Sequence, residues 1–308
     1  MVFLPKAKVN LGLNVVERRP DGYHNLETVF LPIDVEDVLD VSIAADADEP
    51  LSLTVEGADG LCPLEDNLVY KAYMLLKQDF PLPNVRVRLT KQIPSQAGLG
   101  GGSSDAAYMI RALNEVCGLQ LSDSKMQQYA ARLGADCPLF IKAETVYATG
   151  IGDILTPLQI PALSERGRYS MVLVKLPVAV STKEAYSAIT PHRPSKCCRD
   201  IVQQPIETWK DELVNDFEES VFKKLPMLAD VKQKLYDLGA LYAAMSGSGS
   251  TVFGIFPAQC SSPSQSVCDT IADTPDNPQP STSSVKPILH SSLFTLHFPN
   301  AYTKIITL

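Results

Sequence analysis

The sequence predicts an α+β protein with two domains, and three observations support this prediction. Short strand patterns followed by helix patterns occur twice along the chain, as expected for two α+β units. The 308 residues, of which 45% are hydrophobic and 20% charged, are enough for two modest folded domains. The stretch "PALSERGRY" at 161–169 has the composition of a linker. We therefore place the first domain at residues 1–160 and the second at residues 161–308.

The first domain opens on a strand pattern in the stretch "KVNLGLNV" at 8–15. Apolar side chains occupy one face of this strand, and Lys8 and Asn10 lie on the other face. Pro-Asp-Gly turn chemistry follows within 18–24. Further extended segments are predicted at 26–33, 39–43, 51–55, 85–89 and 145–150. Helices are predicted at 68–78, 104–117 and 121–134, each marked by a polar N-cap or a terminal glycine.

The second domain repeats the pattern. Strands are predicted at 170–175, 241–245 and 251–256, the last two on either side of the loop "SGSGS". A helix opens at Ser181 and Thr182, and two more fall within 209–238. The segment 257–287 is rich in Pro, Ser and Asp, which favours a flexible excursion, with a short helix at 266–273 as the alternative. The last segment, from "SLFTLHF" onward, again favours a strand.

The bulk composition limits the classes of partner and compartment. A formal net charge of −8 argues against a nucleic acid or an anionic membrane as the main partner, whereas a small anionic ligand remains compatible. Seven cysteines without C-x-x-C or zinc-finger spacing favour reduced thiols in the cytoplasm. No signal-peptide region and no bilayer-spanning apolar run is visible. We expect a cytoplasmic protein without nucleic-acid or membrane partners.

A glycine-rich stretch, "IPSQAGLGGGSSDAA" at 93–107, lies between a predicted strand and a predicted helix. Glycine is costly in a folded chain, so this density indicates either a close backbone approach or a flexible linker. The N–H groups at a helix N-terminus, aided by the helix dipole, favour an anion such as phosphate. A tight structural turn is a further alternative. The stretch is not a P-loop, because no lysine follows its glycines.

Three ordered motifs resemble those of the GHMP kinases, the superfamily of galactokinase and of homoserine, mevalonate and phosphomevalonate kinases. They are "KVNLGL" at 8–13, "PSQAGLGGGSSDAA" at 94–107 and "MSGSGSTVFGIF" at 245–256. Within the superfamily, the stretches 8–30, 134–141 and 148–158 are similar to the 4-diphosphocytidyl-2-C-methyl-D-erythritol kinases of the non-mevalonate isoprenoid pathway. The first of these stretches contains "DGYH", which other GHMP kinases lack.

The resemblance implies a fold and a reaction. The first domain would be of the ribosomal-protein-S5-like domain 2 type, and the second would be a ferredoxin-like α/β sandwich. The implied reaction is the ATP-dependent phosphorylation of the 2-hydroxyl of 4-diphosphocytidyl-2-C-methyl-D-erythritol by a monomer or a homodimer. The alternatives are another GHMP kinase of the homoserine or mevalonate type, or a non-catalytic nucleotide-binding relative.

Two residues are expected to carry the chemistry. By the resemblance, Asp136 in "GADCPLFI" accepts the proton of the substrate hydroxyl, and Lys8 supports it electrostatically. From the residues alone, Asp136 would serve equally well as an N-cap before Pro138. Likewise, Lys8 alone would be a solvated lysine on a half-buried strand.

The resemblance also assigns binding residues. ATP is expected to contact Pro94, Ser95, Gln96, Ala97, Gly98, Leu99, Gly100, Gly101, Gly102, Ser103 and Ser104, and near its adenine Asn67 and Lys91. The cytidylylated substrate is expected to contact Asn10, Tyr23, His24, Phe30, Thr182, Tyr186, Gly247 and Ser248.

The resemblance also implies the roles of these residues. His24 would bind the edge of the cytosine, and Phe30 and Tyr186 would stack on its faces. As isolated residues, these aromatics would be core residues, and the glycines of "SGSGS" would form a plain hairpin turn. Mg²⁺ is expected with ATP, held by phosphate oxygens and water, with a hydroxyl from Ser103 or Ser104 and no dedicated carboxylates.

Overall fold

The computed structural model describes residues 1–46, 48–57, 62–258, 297–298 and 300–308. Within these ranges the strands are β1 (Val2–Phe3), β2 (Lys6–Arg18), β3 (His24–Glu36), β4 (Val38–Ile43), β5 (Leu51–Glu56), β6 (Val85–Thr90), β7 (Val146–Thr149), β8 (Ile154–Pro157), β9 (Tyr169–Lys175), β10 (Tyr242–Met245), β11 (Thr251–Pro257) and β12 (Tyr302–Thr307). The helices are α1 (Leu68–Lys77), α2 (Gly101–Val116), α3 (Asp123–Ala131), α4 (Leu139–Lys142), α5 (Thr182–Ser187), α6 (Cys198–Ile201), α7 (Trp209–Glu212), α8 (Phe217–Lys224) and α9 (Pro226–Asp237). In this part of the chain, no helix has the length and apolar composition needed to cross a membrane.

The hairpin of β2 and β3 carries several of the predicted site residues. Each strand is 13 residues long, and the two pair in antiparallel register. Both faces of β2 are buried from Ala7 to Val15. The side chains of Lys8, Asn10 and Asn14, which the alternation predicts for the polar face, are therefore buried as well. Buried polar groups require hydrogen-bond partners, so this face must meet other polar groups of the protein or a ligand.

The strands form three four-stranded sheets in the described part of the chain. The first has the order β1-β4-β6-β5, in which β5 and β6 are parallel. The second has the order β2-β3-β7-β8 and is antiparallel throughout. Helices α1 and α2 pack against each other, and their apolar residues share a buried cluster with strands of the first sheet.

The third sheet confirms the ferredoxin-like architecture expected for the second domain. Its order is β10-β11-β9-β12, so the strands lie in the order second, third, first and fourth along the chain, and every pair is antiparallel. Helix α9 packs against β10 and β11. The predicted short helix at 266–273, and the predicted excursion at 257–287 beyond residue 258, lie outside the described residues.

One hydrophobic cluster joins the two predicted domains. Val9 and Leu11 of β2 share this buried cluster with Met171 and Leu173 of β9 and with Trp209 of α7. Residues on both sides of the predicted domain boundary, between residues 160 and 161, belong to this one core. The boundary therefore stays a prediction.

Some elements differ from the predicted ones. Helix α2 begins at Gly101, three residues before the predicted start, because the left-handed Gly100, with φ of +73°, immediately precedes the helix. The sequence does not predict β1, β8 or α6, which contain two to four residues each and are too short to show a hydrophobic period. The predicted linker at 161–169 includes a turn of 3₁₀-helix at Pro161–Leu163.

Candidate active site

The glycine-rich loop connects β6 to α2, and close packing requires two of its glycines. Gly98 and Gly100 have φ of +74° and +73°, which L side chains rarely adopt. A Cβ at Gly98 would lie 2.0 Å from the carbonyl oxygen of Ser246, and one at Gly100 would lie 2.9 Å from the ring of Phe140. This packing argues against the flexible linker that the local pattern left open.

A cleft of about 580 Å³, the loop cleft, opens at this loop and the N-terminus of α2. All residues from Pro94 to Ser103 line it, together with Asn67 and Lys91. Of the predicted ATP-binding residues, only Ser104 is not part of the lining; it is buried, and its Oγ has no hydrogen-bond partner among the described residues. The first-turn N–H groups of a helix have no partner within the helix, and its dipole favours negative charge there. The loop cleft is therefore suited to a phosphate group.

A second cleft of about 1030 Å³, the strand cleft, lies along β2 and β3. It shares Gln96, Gly98 and Gly100 with the loop cleft. Its lining includes every predicted substrate-binding residue, together with Lys8 and Asp136. The fold thus brings the predicted phosphate-binding, catalytic and substrate-binding residues, which are scattered along the sequence, into two adjoining clefts.

Lys8 and Asp136 face each other in the strand cleft. The Nζ of Lys8 lies 3.7 Å from Oδ2 of Asp136, and it donates to Oδ1 of Asn10 at 2.7 Å and to the carbonyl of Gly98 at 3.1 Å. The ammonium also lies over the ring of Phe30, 5.1 Å from its centroid. Burial lowers the pKa of Lys8, and the neighbouring Asp136 carboxylate opposes this shift. A buried ammonium with a single carboxylate partner can attract a further anionic group.

The bounds of helix α4 test the capping alternative for Asp136. Helix α4 begins at Leu139, and its N-cap is Pro138 rather than Asp136. The N-cap makes no side-chain hydrogen bond. The capping alternative is therefore wrong, and the carboxylate instead lies beside Lys8, 34% exposed towards the cleft.

Asn10 links the two glycine-containing segments to the β2–β3 hairpin. Its Nδ2 donates to Oγ1 of Thr28 at 3.0 Å, and Thr28 donates to the carbonyl of Gly12 at 2.5 Å. Its backbone N–H donates to Oγ of Ser246 at 3.3 Å, and Ser246 donates to the carbonyl of Gly98 at 2.9 Å. These bonds fix the loop and the turn at residues 246–249, the second glycine turn, against the same strand.

An aromatic group lies further along the strand cleft. The rings of His24 and Tyr186 stack with centroids 5.1 Å apart at 22°, and Phe217 meets Tyr186 edge-on at 4.8 Å. Burial, aided by the nearby Arg18, lowers the pKa of His24, so its imidazole is neutral near pH 7. Burial, with a contribution from Asp136, raises the pKa of Tyr186 to about 12. A neutral imidazole beside a tyrosine ring suits a planar polar ligand.

The other predicted substrate residues occupy different depths of the cleft. Tyr23 lies at the surface, 61% exposed. The ring of Phe30 is buried under the ammonium of Lys8, so its stacking on a ligand stays a prediction. Thr182 begins α5 as expected, with Ser181 as the N-cap, and its hydroxyl lies 3.1 Å from that of Ser248.

Lys91 lines the loop cleft, but two buried carboxylates hold its ammonium. It donates to Asp37 and Asp105, and the backbone N–H groups of Gln92 and Ile93 donate to Oδ1 of Asp37. Burial alone would lower the pKa of Lys91, but the two carboxylates outweigh it and raise that pKa above its usual value. Burial raises the pKa of Asp105 to about 7 even though Lys91 opposes the shift. Contact between Lys91 and ATP stays a prediction.

Several residues that contact the site residues are not predicted from the sequence. They are Asp37, Thr28, Asn215, Ser246 and Phe217. Thr28 and Ser246 lie inside two of the quoted motifs, so a search of motif neighbours for hydroxyls would find them. The other three reach the site from distant parts of the chain, and no spacing rule connects them to it.

Two family models match this chain. The model described as GHMP kinases N terminal domain matches residues 67–144, and the model described as GHMP kinases C terminal matches residues 199–265. A curated relative from Bacteroides fragilis, named 4-diphosphocytidyl-2-C-methyl-D-erythritol kinase, is 52% identical over 256 residues, covering 83% of this chain and 92% of the relative. One of the same name from Pelotomaculum thermopropionicum is 40% identical over 260 residues, covering 82% and 88%.

Solved structures show the same fold. A crystal structure of 4-(cytidine 5'-diphospho)-2C-methyl-D-erythritol kinase matches with a TM-score of 0.70 and 34% identity, covering 82% of this chain and 89% of that one. The homoserine kinase from Cytophaga hutchinsonii matches with a TM-score of 0.55 and 17% identity over 84% and 85% of the two chains, which shows likeness of fold alone. The extent and identity of these matches show that the chain belongs to the 4-diphosphocytidyl-2-C-methyl-D-erythritol kinase family of the GHMP kinases.

Proposed function

We propose that the protein transfers the γ-phosphoryl group of ATP to the 2-hydroxyl of 4-diphosphocytidyl-2-C-methyl-D-erythritol. The observation that carries this proposal is the position of Lys8 and Asp136. Both line the strand cleft, and Lys8 donates to Gly98, which lines both clefts. A phosphoryl group held at the loop and a hydroxyl held in the strand cleft would meet beside this pair. The kinase names of the relatives agree with this chemistry.

The loop would bind the phosphates of ATP mainly through its backbone. Gly98 and Gly100 allow the chain to pass close to neighbouring groups, and α2 directs its free N–H groups and the positive end of its dipole into the same cleft. In phosphoryl transfer most of the protein's work is positioning and charge stabilisation. The loop would therefore hold the donor in place, and the reacting groups would come from elsewhere in the chain.

Asp136 would accept the proton of the substrate hydroxyl. As the hydroxyl oxygen forms its bond to phosphorus, the bond from phosphorus to the bridging oxygen breaks, and ADP leaves. The Lys8 ammonium, 3.7 Å from the carboxylate, would stabilise the negative charge on the transferred oxygens. Because this ammonium is buried, its charge is screened less than it would be in water, so its effect on the transition state is larger.

The aromatic group would bind the cytosine of the substrate. A neutral imidazole offers one donor and one acceptor, which can pair with the amine and the ring acceptors at the edge of cytosine. His24 has the lowered pKa that keeps it neutral, and Tyr186 offers a flat face. The second glycine turn, with Gly247 and Ser248 in the lining of the cleft, would lie along the diphosphate.

We also propose that Mg²⁺ accompanies ATP. The described residues contain no group of three or more His, Cys, Asp or Glu side chains that could hold a metal ion, so the phosphate oxygens would supply most of its ligands. The hydroxyl of Ser103, in the lining of the loop cleft, fits a role as a protein ligand, whereas that of Ser104 is buried outside this lining and its contact with the ion stays a prediction. The ion would neutralise phosphate charge.

We further propose a cytoplasmic location and a monomer or homodimer without a nucleic-acid partner. The net charge of −8 supports the last point, because a nucleic-acid surface requires an excess of positive charge.

Substrate selectivity tests the proposed function. Purified protein would be supplied with ATP and Mg²⁺ and, in parallel, with the cytidylylated substrate, with methylerythritol phosphate lacking the cytidylyl group, with homoserine and with mevalonate. We expect ADP release only with the cytidylylated substrate, and we expect CDP to inhibit it competitively. Comparable turnover of any of the other alcohols would overturn the proposal, and a reaction without acceptor measures background ATP hydrolysis.

A further inference from the structure

A short segment with no assigned role, Leu213–Phe217, lies between β2 and the second glycine turn. We call it the connecting segment. Its backbone forms two hydrogen bonds with Leu13 of β2. The N–H of Leu13 donates to the carbonyl of Val214 at 2.8 Å, and the N–H of Asp216 donates to the carbonyl of Leu13 at 2.9 Å. The connecting segment therefore follows β2 only a few residues from Lys8 and Asn10.

Asn215 is the middle residue of the connecting segment. It is 3% exposed, and its amide is fully hydrogen-bonded. The Nδ2 group donates to the carbonyls of Met245 at 2.7 Å and Gly247 at 2.9 Å, and Oδ1 accepts from the backbone N–H of Phe217 at 3.0 Å. The two carbonyls belong to the end of β10 and to the second glycine turn. One amide thus fixes the direction in which that turn leaves the sheet.

The same amide also reaches the aromatic group. Phe217 is the first residue of α8, and its ring lies edge-on to Tyr186 with centroids 4.8 Å apart. Tyr186 in turn stacks on His24. Asn215 therefore contacts the second glycine turn through Gly247 and the backbone of Phe217, whose ring lies against Tyr186.

We propose that Asn215 is a positioning residue for the cytidylylated substrate. It holds the second glycine turn and the face of Tyr186 at a fixed spacing, so that the diphosphate and the cytosine of one molecule are bound together. This inference rests on the proposed function, because it assigns that substrate to the strand cleft. Gly247, Ser248 and Tyr186 line the strand cleft and not the loop cleft, so ATP binding depends on Asn215 much less.

Steady-state kinetics of three variants test this role. Asn215→Ala removes all three hydrogen bonds, and Asn215→Ser keeps a single hydroxyl donor in a smaller side chain. Asn114→Ala is the matched control: Asn114 also bridges backbone groups, accepting from the N–H of Leu121 and donating to its carbonyl, but it lines neither cleft. KM for the cytidylylated substrate, KM for ATP and the melting temperature would be measured for each protein.

We expect Asn215→Ala to raise KM for the cytidylylated substrate roughly 10-fold or more and KM for ATP less than about threefold, because small displacements of binding groups are costly. Asn215→Ser should lie between this variant and the wild type, and it serves as the test protein if Asn215→Ala does not fold. Asn114→Ala should lower only the melting temperature. Unchanged KM values in an Asn215 variant with a lowered melting temperature would overturn the inference, since the role would then be structural. A wild-type protein inactive on the cytidylylated substrate would overturn the proposed function itself.

Discussion

Lys8 and Lys91 are two nearly buried lysines beside the same glycine-rich loop, and their charge environments are opposite. Lys8 has one carboxylate neighbour, Asp136, at 3.7 Å, and its hydrogen bonds go to neutral oxygens. Lys91 is shared by two carboxylates, Asp37 and Asp105, whose side chains are 0% and 4% exposed. The pKa of Lys8 is lowered by burial, whereas that of Lys91 is raised because its carboxylates outweigh burial.

This difference separates a lysine available to a ligand from one committed to the fold. The charge of Lys8 is only partly compensated, so an incoming phosphoryl group would improve its environment. Two carboxylates already compensate the charge of Lys91, so its ammonium would attract a phosphate group only weakly. Instead, Lys91 joins Asp37, which holds the N–H groups of Gln92 and Ile93 at the start of the loop, to Asp105 in the first turns of α2. The ion cluster therefore ties both ends of the loop together.

Removing the carboxylate of Asp136, the partner of Lys8, is expected to have the largest effect. Asp136→Asn keeps the size of the side chain but removes the proposed proton acceptor, and we expect kcat to fall by about 10³-fold. KM for ATP should change little, because Asp136 lines the strand cleft and not the loop cleft. The measurement is the ADP release rate at saturating substrates, with a denaturation curve to verify folding. Turnover within threefold of the wild type would instead support a role of Asp136 in orientation alone.

Replacing each lysine by methionine sharpens the contrast between the two sites. Lys91→Met leaves Asp37 and Asp105 buried without their cation, and we expect a loss of about 3–5 kcal/mol in the free energy of unfolding. Lys8→Met removes a buried charge with one partly exposed partner, so stability should change little, while kcat falls by about 10²-fold. Urea denaturation and steady-state kinetics of both variants measure the two effects. If Lys8→Met were the less stable variant and Lys91→Met the less active one, the assignment of the two lysines would be reversed.

Per pH unit, the pH dependence of stability is the smallest of the expected effects. The pKa of Asp105 is raised from 3.8 to about 7, chiefly by burial, so the folded protein binds this proton more tightly than the unfolded chain. The stability it contributes is present in full below pH 3.8 and is lost as the pH rises through about 7. Over this window, the free energy of unfolding should fall by up to about 1.4 kcal/mol per pH unit.

The variant Asp105→Asn isolates this contribution. Because an amide does not titrate, the free energy of unfolding of the variant should lack the fall that Asp105 causes in the wild type. The difference in free energy of unfolding between the two proteins should therefore shrink towards acid pH. Glu144→Gln, which alters an exposed carboxylate, is the control and should keep the wild-type pH dependence. Parallel curves for the wild type and Asp105→Asn between pH 4 and pH 8 would contradict the raised pKa.

Much of the fold follows from the sequence because its signals are local. The alternation at 8–15 predicts β2, and the loop between a strand and a helix predicts where a phosphate would bind. The environment of Lys91 is not predictable in this way, since Asp37 and Asp105 lie 54 and 14 residues away and no periodic pattern connects them. Nor does the sequence distinguish Lys91 from Lys8, because burial and charge compensation arise only when distant segments pack. Asn215 has the same origin: its partners Met245 and Gly247 are about thirty residues away.

The hydrophobic cluster that β2 shares with β9 has a consequence for how ligands enter and leave. Two units that interlock through one core cannot swing apart as rigid bodies about a hinge without exposing Val9, Leu11, Met171 and Leu173 to water. We therefore expect β2 to stay fixed as ligands enter and leave, and any movement to be confined to exposed side chains in the lining of the strand cleft, such as Tyr23.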